Sequence, residues 1–163
     1  MNITLIPIAT VHSAIREPLD EVFGGLTARI ELDAARFTAE SLRGLQDFSH
    51  VEILFYFHQL DESEIVTAAR HPRNRADWPE VGIFGQRARM RPSRIGSTVC
   101  RLVSVQGLAI VVEDLDAIDG TPVLDIKPWM SVMGARGEIR EPAWARELAT
   151  TYWRPQNRAT RKP

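Results

Sequence analysis

The sequence has a single cysteine, Cys100, among its 163 residues, which excludes an internal disulfide and any zinc site built on cysteine pairs. It also lacks an excess of charge of either sign. The 20 Lys and Arg residues against 21 Asp and Glu leave a formal net charge of −1, so the surface as a whole is not that of a non-specific nucleic-acid binder. The apolar runs are too short for a membrane span, and no positively charged region precedes the first of them. We therefore expect a cytoplasmic protein with no membrane anchor, in which any basic function is local.

Motifs that define common enzyme classes are missing as well. None of the four histidines stands in an HExxH or comparable ligand spacing, so we expect no metal site. No GxGxxG follows a strand-like run, which disfavours a Rossmann fold. No serine sits in a nucleophile elbow, and Cys100 lies inside an apolar run, where an unreactive buried thiol is the usual interpretation. Covalent catalysis therefore has no support in the sequence.

The apolar segments predict strands. The run at 51–58 is apolar on both sides, as in a strand covered on both faces, and Gln106-Gly107 suits a tight hairpin. Because no helix alternates with the strands, the pattern predicts an all-β, mainly antiparallel fold, namely a small closed or partly open barrel with short helices. The predicted strands cover residues 3–11, 27–32, 51–58, 81–86, 97–105, 108–112 and 123–126.

Two helical segments accompany these strands. A polar helical turn is predicted at 39–45, where Gly44 would end it. Near the C-terminus, Trp144, Leu148 and Tyr152 follow one another at intervals of four residues, which predicts an apolar stripe on a helix that Pro142 starts. We expect a single domain over residues 1–153 and a loose basic tail over residues 154–163.

Arginine is unusually dense in GQRARMRPSRIG, residues 85–96. Arg87, Arg89, Arg91 and Arg94 stand between two glycines and around Pro92. One interpretation is a solvated loop whose side chains pair with surface carboxylates. The other is an anion site, because a loop of fixed shape would aim several guanidinium forks at a carboxylate or phosphate. The residues leave both interpretations open.

A second informative segment is IDGTPVLDIKPW, residues 118–129. Its Asp-Gly pair predicts a turn, and the residues after it predict a short strand. Alternation along that strand puts Asp125 and Lys127 on one face, which either contacts water or lines a pocket.

Three stretches together carry a resemblance to a known family. FSHVEILFYFHQ (48–59), VGIFGQRARMRPSRIGST (81–98) and LDAIDGTPVLDIKPW (115–129) occur in the order and at the spacing of the TsaA-like, or YaeB-like, family of TrmO type. Its best-known members use S-adenosylmethionine to methylate the N6 nitrogen of threonylcarbamoyladenosine at position 37 of tRNA. The resemblance covers residues 3–153 and implies a β-barrel methyltransferase that binds its cofactor near a homodimer interface.

The resemblance also implies a set of cofactor-binding residues. His58 and Gln59 match a pair that the family places at a strand end. Arg87 matches the arginine of its FATR or FAQR stretch, and Ser97 follows the Ile-Gly dipeptide at the next contact. The rest of the set comes from the acidic stretch before DGTP and from a Gly-Gly pair near the first loop: Glu113, Asp114, Leu115, Asp116, Gly24 and Gly25.

Catalysis and acceptor binding complete the expectations. Methyl transfer is an in-line displacement, so most of the catalysis can come from holding the reacting atoms in line. An N6-H acceptor must also lose a proton, and His58, Asp119 and Asp125 are the candidates to assist that loss. With tRNA as the expected partner, the predicted substrate contacts are Arg89, Arg91, Arg94 and Lys127.

The sequence departs from the family pattern in ways that bear on the acceptor. It has EVFGGLTAR (21–29) where tRNA-modifying members carry a PRQ triplet. It also has RPSRIG where the family commonly has RPNPIG, and KPW where the family usually has KPY. The further C-terminal domain of the bacterial tRNA enzymes is not found in these 163 residues. A non-enzymatic RNA-binding barrel, with arginines on phosphates and Trp129 stacking on a base, is therefore a second hypothesis. A methyltransferase acting on another RNA or on a small molecule is a third.

Overall fold

The structure is a computed structural model that describes residues 3–18 and 23–153. Within them the chain forms eight strands and one α-helix, joined by short 3-10 turns. The elements are β1 Ala9–His12, β2 Thr27–Leu32, β3 His50–Tyr56, β4 Ala69–Arg70, β5 Val81–Gly82, β6 Ile95–Gln106, β7 Ala109–Glu113, β8 Pro122–Pro128 and α1 Ala143–Tyr152.

Six of these strands close into an antiparallel barrel in the order β1-β2-β7-β6-β3-β8, and β4 pairs with β5 in a separate two-stranded sheet. Alternation explains the closure. Along β3, Val51, Ile53 and Phe55 point inward and are fully buried, opposite Cys100, Thr98 and Gly96 of β6. Apolar side chains from all six strands fill the interior. The predicted all-β barrel with short helices and a C-terminal helix is confirmed.

One end of the barrel is plugged by the 3-10 turns at Ala39–Leu42 and Leu45–Asp47. Leu42 is buried in the barrel core, and Leu45 packs against it. Gly44 separates the two turns with a φ of 81°, a left-handed conformation that favours glycine. The predicted helical turn and its end at Gly44 are confirmed, and the opposite end of the barrel stays open.

The predicted first strand, 3–11, is wrong in its first half. Strand β1 begins only at Ala9, and Ile3, Leu5 and Ile6 are exposed. Pro7 explains the late start, because proline has no N–H to donate to a neighbouring strand. Apolar composition alone gave no sign of where pairing begins.

The predicted strand 81–86 is also shorter than expected. Only Val81–Gly82 pairs, and Ile83–Gly85 turns into a 3-10 helix. The Gln86 side chain lies buried and donates to the carbonyl oxygens of Val81 (2.5 Å) and Arg70 (3.0 Å). A side chain therefore satisfies backbone acceptors in this segment, which a period-two pattern does not reveal.

The expectation that 51–58 is covered on both faces is wrong. Burial alternates along β3, so that Glu52, Leu54 and Tyr56 lie half-buried on the outer wall of the barrel. Strand β3 ends at Tyr56, two residues before the predicted end. Because apolar and aromatic residues such as Leu54 and Tyr56 also occupy outward positions, the sequence of this strand after Glu52 is apolar without interruption although its burial alternates.

Other boundaries agree closely with the sequence. The β6–β7 hairpin turns at Gly107, whose φ is 61°, and a second turn at Gly120 (φ 76°) precedes β8. Helix α1 begins directly after Pro142, as predicted. The predicted basic tail, 154–163, lies outside the described residues. No helix in the described ranges is long and apolar enough to cross a membrane.

Candidate active site

The open end of the barrel forms a cavity of about 780 Å³. The ends of β3 and β6 and the segment from Asp116 to Ile118 form its floor. The 70–74 and 85–90 segments form its walls, and α1 lies across it. Cavities that bind small molecules and cofactors typically span roughly 300 to 1,000 Å³, so the space suits a ligand of cofactor size.

Two aromatic rings form part of the apolar floor. Phe55 and Phe57 lie edge to face, with ring centroids 5.4 Å apart and an interplanar angle of 82°. Gly96 faces them across the sheet, and a methyl group there would overlap the Phe55 ring and come 3.0 Å from Cζ of Phe57. The glycine of the Arg-Ile-Gly sequence therefore makes room for an aromatic surface inside the cavity.

The one acidic side chain on the cavity floor is Asp116, and both of its oxygens are held. Thr98 Oγ1 donates to Oδ1, and the Tyr152 hydroxyl donates to Oδ2 at 2.6 Å. Thr98 is buried. The pKa of the Tyr152 hydroxyl is raised, first by its own burial and then by the charge of the nearby Asp116 carboxylate, so that Tyr152 remains a proton donor. An ionised carboxylate has about four acceptor positions, so Asp116 retains capacity to accept from a ligand.

The 70–74 segment gives the cavity a cationic wall. Arg70 Nη2 donates to Asn74 Oδ1 at 2.6 Å, and Nη1 of the same guanidinium contacts the Met90 sulfur. The Arg73 guanidinium lies 5.3 Å from the centroid of the Tyr152 ring. Arg73 and Asn74 both have left-handed backbones, with φ values of 52° and 56°. Two consecutive non-glycine residues in this conformation are strained, a feature that often accompanies functional sites.

Helix α1 is fastened over the cavity by a second set of contacts. The rings of Trp78 and Trp144 lie 6.0 Å apart, and Trp78 Nε1 donates to Glu147 Oε2 at 3.0 Å. Arg75 Nη1 donates to the other oxygen of Glu147 at 2.8 Å, and its guanidinium stacks 4.1 Å from the Trp78 ring centroid. These contacts tie the helix to the 70–78 loop, which itself lines the cavity.

The structure brings six of the sequence-predicted site residues together around this cavity. His58 and Gln59 lie just beyond the end of β3. Arg87 Nη2 donates to the Ser97 carbonyl oxygen, which links two of the predicted cofactor contacts. The residues that line the cavity are His58, Gln59, Arg87, Arg89, Ser97 and Asp116.

The other predicted cofactor residues lie outside the cavity lining and have partners of their own. Asp114 has a φ of 65° and accepts a hydrogen bond from the Gly25 N–H at 2.7 Å, next to the buried Gly24. Glu113 accepts from Arg101 Nε at 2.6 Å, and Leu115 is part of the barrel core. Of the acidic stretch 113–116, Asp116 alone faces the cavity.

Two of the three proton-transfer candidates are engaged elsewhere. Asp119 Oδ1 accepts from the Ser13 N–H at 3.0 Å. Asp125 lies opposite Leu54 on the outer wall of the barrel and pairs with Lys127. His58 lines the cavity. It also lies close to the turn that contains Asp119, since a Cβ atom built on Gly120 would be 3.8 Å from His58 Nε2.

The four arginines of the 85–96 segment divide into two pairs. Arg87 and Arg89 line the cavity, and Arg89 also pairs with Glu64 at 3.4 Å. Arg94 lies outside the lining, with a φ of 51°, and its guanidinium donates to the Tyr56 hydroxyl at 3.2 Å. Arg91 belongs to the turn before it, where its carbonyl oxygen accepts from the Arg94 N–H.

Sequence reasoning missed much of the cavity wall. Arg73 and Asn74 lie in 71–79, a segment whose Pro, Asn and Asp content predicts an exposed loop, and Arg70 directly precedes it, yet all three line the cavity. The predicted apolar stripe of Trp144, Leu148 and Tyr152 on α1 gave no sign of a ligand site, yet all three residues line the cavity. The available signal was the density of arginine and tryptophan in HPRNRADWP (71–79), since a purely solvated loop seldom carries a tryptophan.

Among residues 3–18 and 23–153, no group of three or more His, Cys, Asp or Glu side chains is placed to hold a metal ion. The fold and the cavity define a class: a small antiparallel barrel with a ligand-sized, aromatic and charged cavity at its open end. The sequence matches the family model described as the tRNA-methyltransferase O N-terminal domain over residues 16–135. The chain belongs to this family.

Relatives agree with that assignment. A probable S-adenosyl-L-methionine-binding protein of Pyrococcus abyssi is 33% identical over 138 residues, which are 82% of this chain and 72% of that protein. The human tRNA (adenine(37)-N6)-methyltransferase is 40% identical over 102 residues, which are 63% of this chain and 23% of that protein. The crystal structure of TrmO from Pseudomonas aeruginosa superposes with a TM-score of 0.70 at 30% identity. That match covers 88% of this chain and 62% of TrmO, so the chain spans less than two thirds of the solved relative and about a quarter of the human one.

Proposed function

We propose that this chain is an S-adenosylmethionine-dependent methyltransferase that modifies the N6 nitrogen of an adenine in tRNA, with threonylcarbamoyladenosine at position 37 as the acceptor. The observation that carries the proposal is the cavity at the barrel mouth. His58, Arg87 and Asp116, which the family resemblance assigns to the cofactor, surround a space of ligand size there. Family membership and the names of the relatives support the same activity.

The cavity offers chemistry that fits each part of the cofactor. Phe57, backed by the buried ring of Phe55, can present aromatic surface to the adenine, and the carboxylate of Asp116 can accept hydrogen bonds from an ammonium group or from ribose hydroxyls. Arg87 is the candidate to bind the carboxylate of the methionine end, because a guanidinium fork suits a carboxylate. When bound, the cofactor supplies an electrophilic methyl group on a sulfonium.

For the chemical step, we propose that most of the rate enhancement comes from holding the acceptor nitrogen, the methyl carbon and the sulfur in line. We also propose that His58 removes the proton from the acceptor nitrogen. His58 lines the cavity, whereas Asp119 accepts from a backbone N–H and Asp125 pairs with Lys127 on the outer wall. A base must reach the proton it removes, so position favours the histidine.

His58→Ala should lower the single-turnover methyl-transfer rate by about a hundredfold, the lower end of general-base effects. An unchanged rate would exclude this role.

The acceptor would reach the cavity past Arg89. Its guanidinium is about one third exposed and sits on the cavity wall, where it can bind an RNA phosphate or an acidic nucleobase substituent. Arg91 and Arg94 lie farther along the segment, and we propose that they act mainly in shaping the loop, since Arg94 already binds Tyr56 and Glu62. A homodimer that places a second copy near the cavity remains part of the proposal.

Calorimetry with S-adenosylmethionine tests the cofactor assignment. We expect binding that weakens roughly tenfold to a hundredfold, and stays measurable, when Asp116 is replaced by alanine. Failure of the wild-type chain to bind at high micromolar cofactor would instead favour the non-enzymatic RNA-binding barrel.

The acceptor is tested separately, by comparing methyl transfer to tRNA that carries the threonylcarbamoyl group with transfer to the same tRNA lacking it. Equal transfer to both, or transfer to neither, would exclude threonylcarbamoyladenosine as the required acceptor.

A further inference from the structure

Helix α1 lies outside the part of the chain that matches the family model. The match ends at residue 135, and α1 begins at Ala143. Nevertheless Trp144, Leu148 and Tyr152 all face the cavity. A segment beyond the matched range therefore supplies part of the cavity wall.

The contact that connects α1 with the cavity floor is specific. The Tyr152 hydroxyl donates to Asp116 Oδ2 at 2.6 Å, and Thr98 donates to Oδ1 from the opposite side. The carboxylate is thus held by two donors, one from strand β6 and one from the helix. Thr98 is 6% exposed, so water competes poorly for its hydrogen bond, and Tyr152 is half-buried.

The position of Tyr152 is fixed in turn from two directions. The Arg73 guanidinium lies over its ring at 5.3 Å, and the Trp153 ring packs edge to face against it with centroids 4.8 Å apart. The helix itself is fastened at its first turns by the contact between Trp144 and Trp78. The hydroxyl is therefore presented to Asp116 by a fixed scaffold rather than by a freely rotating side chain.

We propose that Tyr152 is a positioning residue, which orients the Asp116 carboxylate so that its remaining lone pairs accept hydrogen bonds from the cofactor. The inference rests on the proposed function, because it takes S-adenosylmethionine as the ligand. A carboxylate held in place before binding gives up less conformational freedom when the ligand arrives, and this preorganisation appears as affinity. In this arrangement α1 contributes to cofactor binding through Asp116.

The test is the cofactor dissociation constant of Tyr152→Phe, measured by calorimetry. The phenylalanine keeps the ring and its packing but removes the hydroxyl, so we expect an increase of up to roughly tenfold, the upper end of the cost of ordering one side chain when a ligand binds. Tyr56→Phe is the matched control. It removes the same oxygen from the other tyrosine of the chain, which binds Arg94 outside the cavity lining, and should leave the dissociation constant unchanged.

A double-mutant cycle separates positioning from a merely structural effect. If Tyr152 acts through Asp116, adding Tyr152→Phe to Asp116→Ala should change the dissociation constant by less than about twofold. A full tenfold effect in that background would overturn the proposal. So would equal cofactor affinity in Tyr152→Phe and the wild type. A wild-type chain that binds no S-adenosylmethionine would overturn the proposed function as well, and the two failures are therefore distinguishable.

Thr98 gives an independent check on the same carboxylate. Thr98→Val removes the donor to Oδ1 and should weaken cofactor binding by a similar factor, whereas Thr98→Ser keeps the hydroxyl and should restore most of the affinity. Equal affinities of the valine and serine variants would contradict the view that two donors orient Asp116.

Discussion

At the scale of single residues, the clearest constraint on the cavity is the absence of a side chain at Gly96. The residue lies opposite Phe55, which is 1% exposed and has no room to move away. Glycine is needed here for close approach rather than for an unusual backbone angle. This gives a physical reason for the glycine in the RPSRIG sequence, which sequence reasoning treated only as one edge of an arginine-rich loop.

Gly96→Ala should lower the free energy of unfolding by about 1 to 3 kcal/mol, the usual cost of adding a methyl group to a packed core. Urea denaturation measures this change. Gly82→Ala is the matched control, because nothing lies within 4 Å of a Cβ placed there and its φ of −54° suits alanine. Equal stability of the two variants would contradict the packing described for the cavity floor.

Arg87 and Arg89 should bind different ligands, although both line the cavity. Arg87→Ala is expected to weaken cofactor binding by about tenfold, since it removes a charged donor from the proposed carboxylate site. Arg89→Ala is expected to leave the cofactor dissociation constant unchanged and to raise the KM for tRNA, because its guanidinium lies on the wall that the acceptor would pass. Calorimetry and steady-state kinetics on both variants measure the two effects. Equal losses of cofactor affinity would show that the two arginines form a single site.

At the scale of elements, the positions of the strands could be predicted from the sequence more accurately than their ends. The hairpin at Gly107 and the helix after Pro142 were located correctly, because glycine and proline act locally. The start of β1 and the shortness of β5 were missed. They depend on which backbone groups find partners elsewhere, such as the two carbonyls that Gln86 satisfies. Information of that kind is not contained in apolar periodicity.

The same limit applies to the candidate site. Residues near family motifs, such as His58 and Arg87, could be located from the sequence and do line the cavity. Arg70, Asn74 and Tyr152 could not, since they reach the cavity from segments far apart in the chain and outside those motifs. Their joint position is a property of the closed barrel and of the way α1 folds back across its open end.

Helix α1 should depend on Trp144 for its attachment to the 70–78 loop. Trp144→Ala is expected to increase amide hydrogen exchange in residues 143–152 by about tenfold or more, because the ring contact with Trp78 is lost. The melting temperature of the barrel should change little, since no residue of α1 is fully buried. Arg146→Ala, on an exposed part of the same helix, is the control. Unchanged exchange in Trp144→Ala would show that other contacts hold the helix.

At the scale of the whole molecule, the barrel acts as a rigid frame for a site that its own strands only partly supply. Strands β3 and β6 provide the floor, the 70–90 region provides the cationic walls, and α1 covers the cavity. A net charge of −1 is compatible with the proposed RNA substrate, because four arginines, Arg70, Arg73, Arg87 and Arg89, line the cavity and supply positive charge locally. The fold thus combines a near-neutral surface with a local site for anionic groups.

The most direct test of the account is methyl transfer by the purified chain to tRNA. The chain would be incubated with tRNA that carries the threonylcarbamoyl group and with S-adenosylmethionine labelled in its methyl group, and the digested nucleosides would be analysed by mass spectrometry. We predict a labelled methyl group on the N6 nitrogen of the modified adenosine, and much less of it in Asp116→Ala at limiting cofactor concentration. A wild-type chain that binds the cofactor but leaves every tRNA nucleoside unlabelled would contradict the central claim.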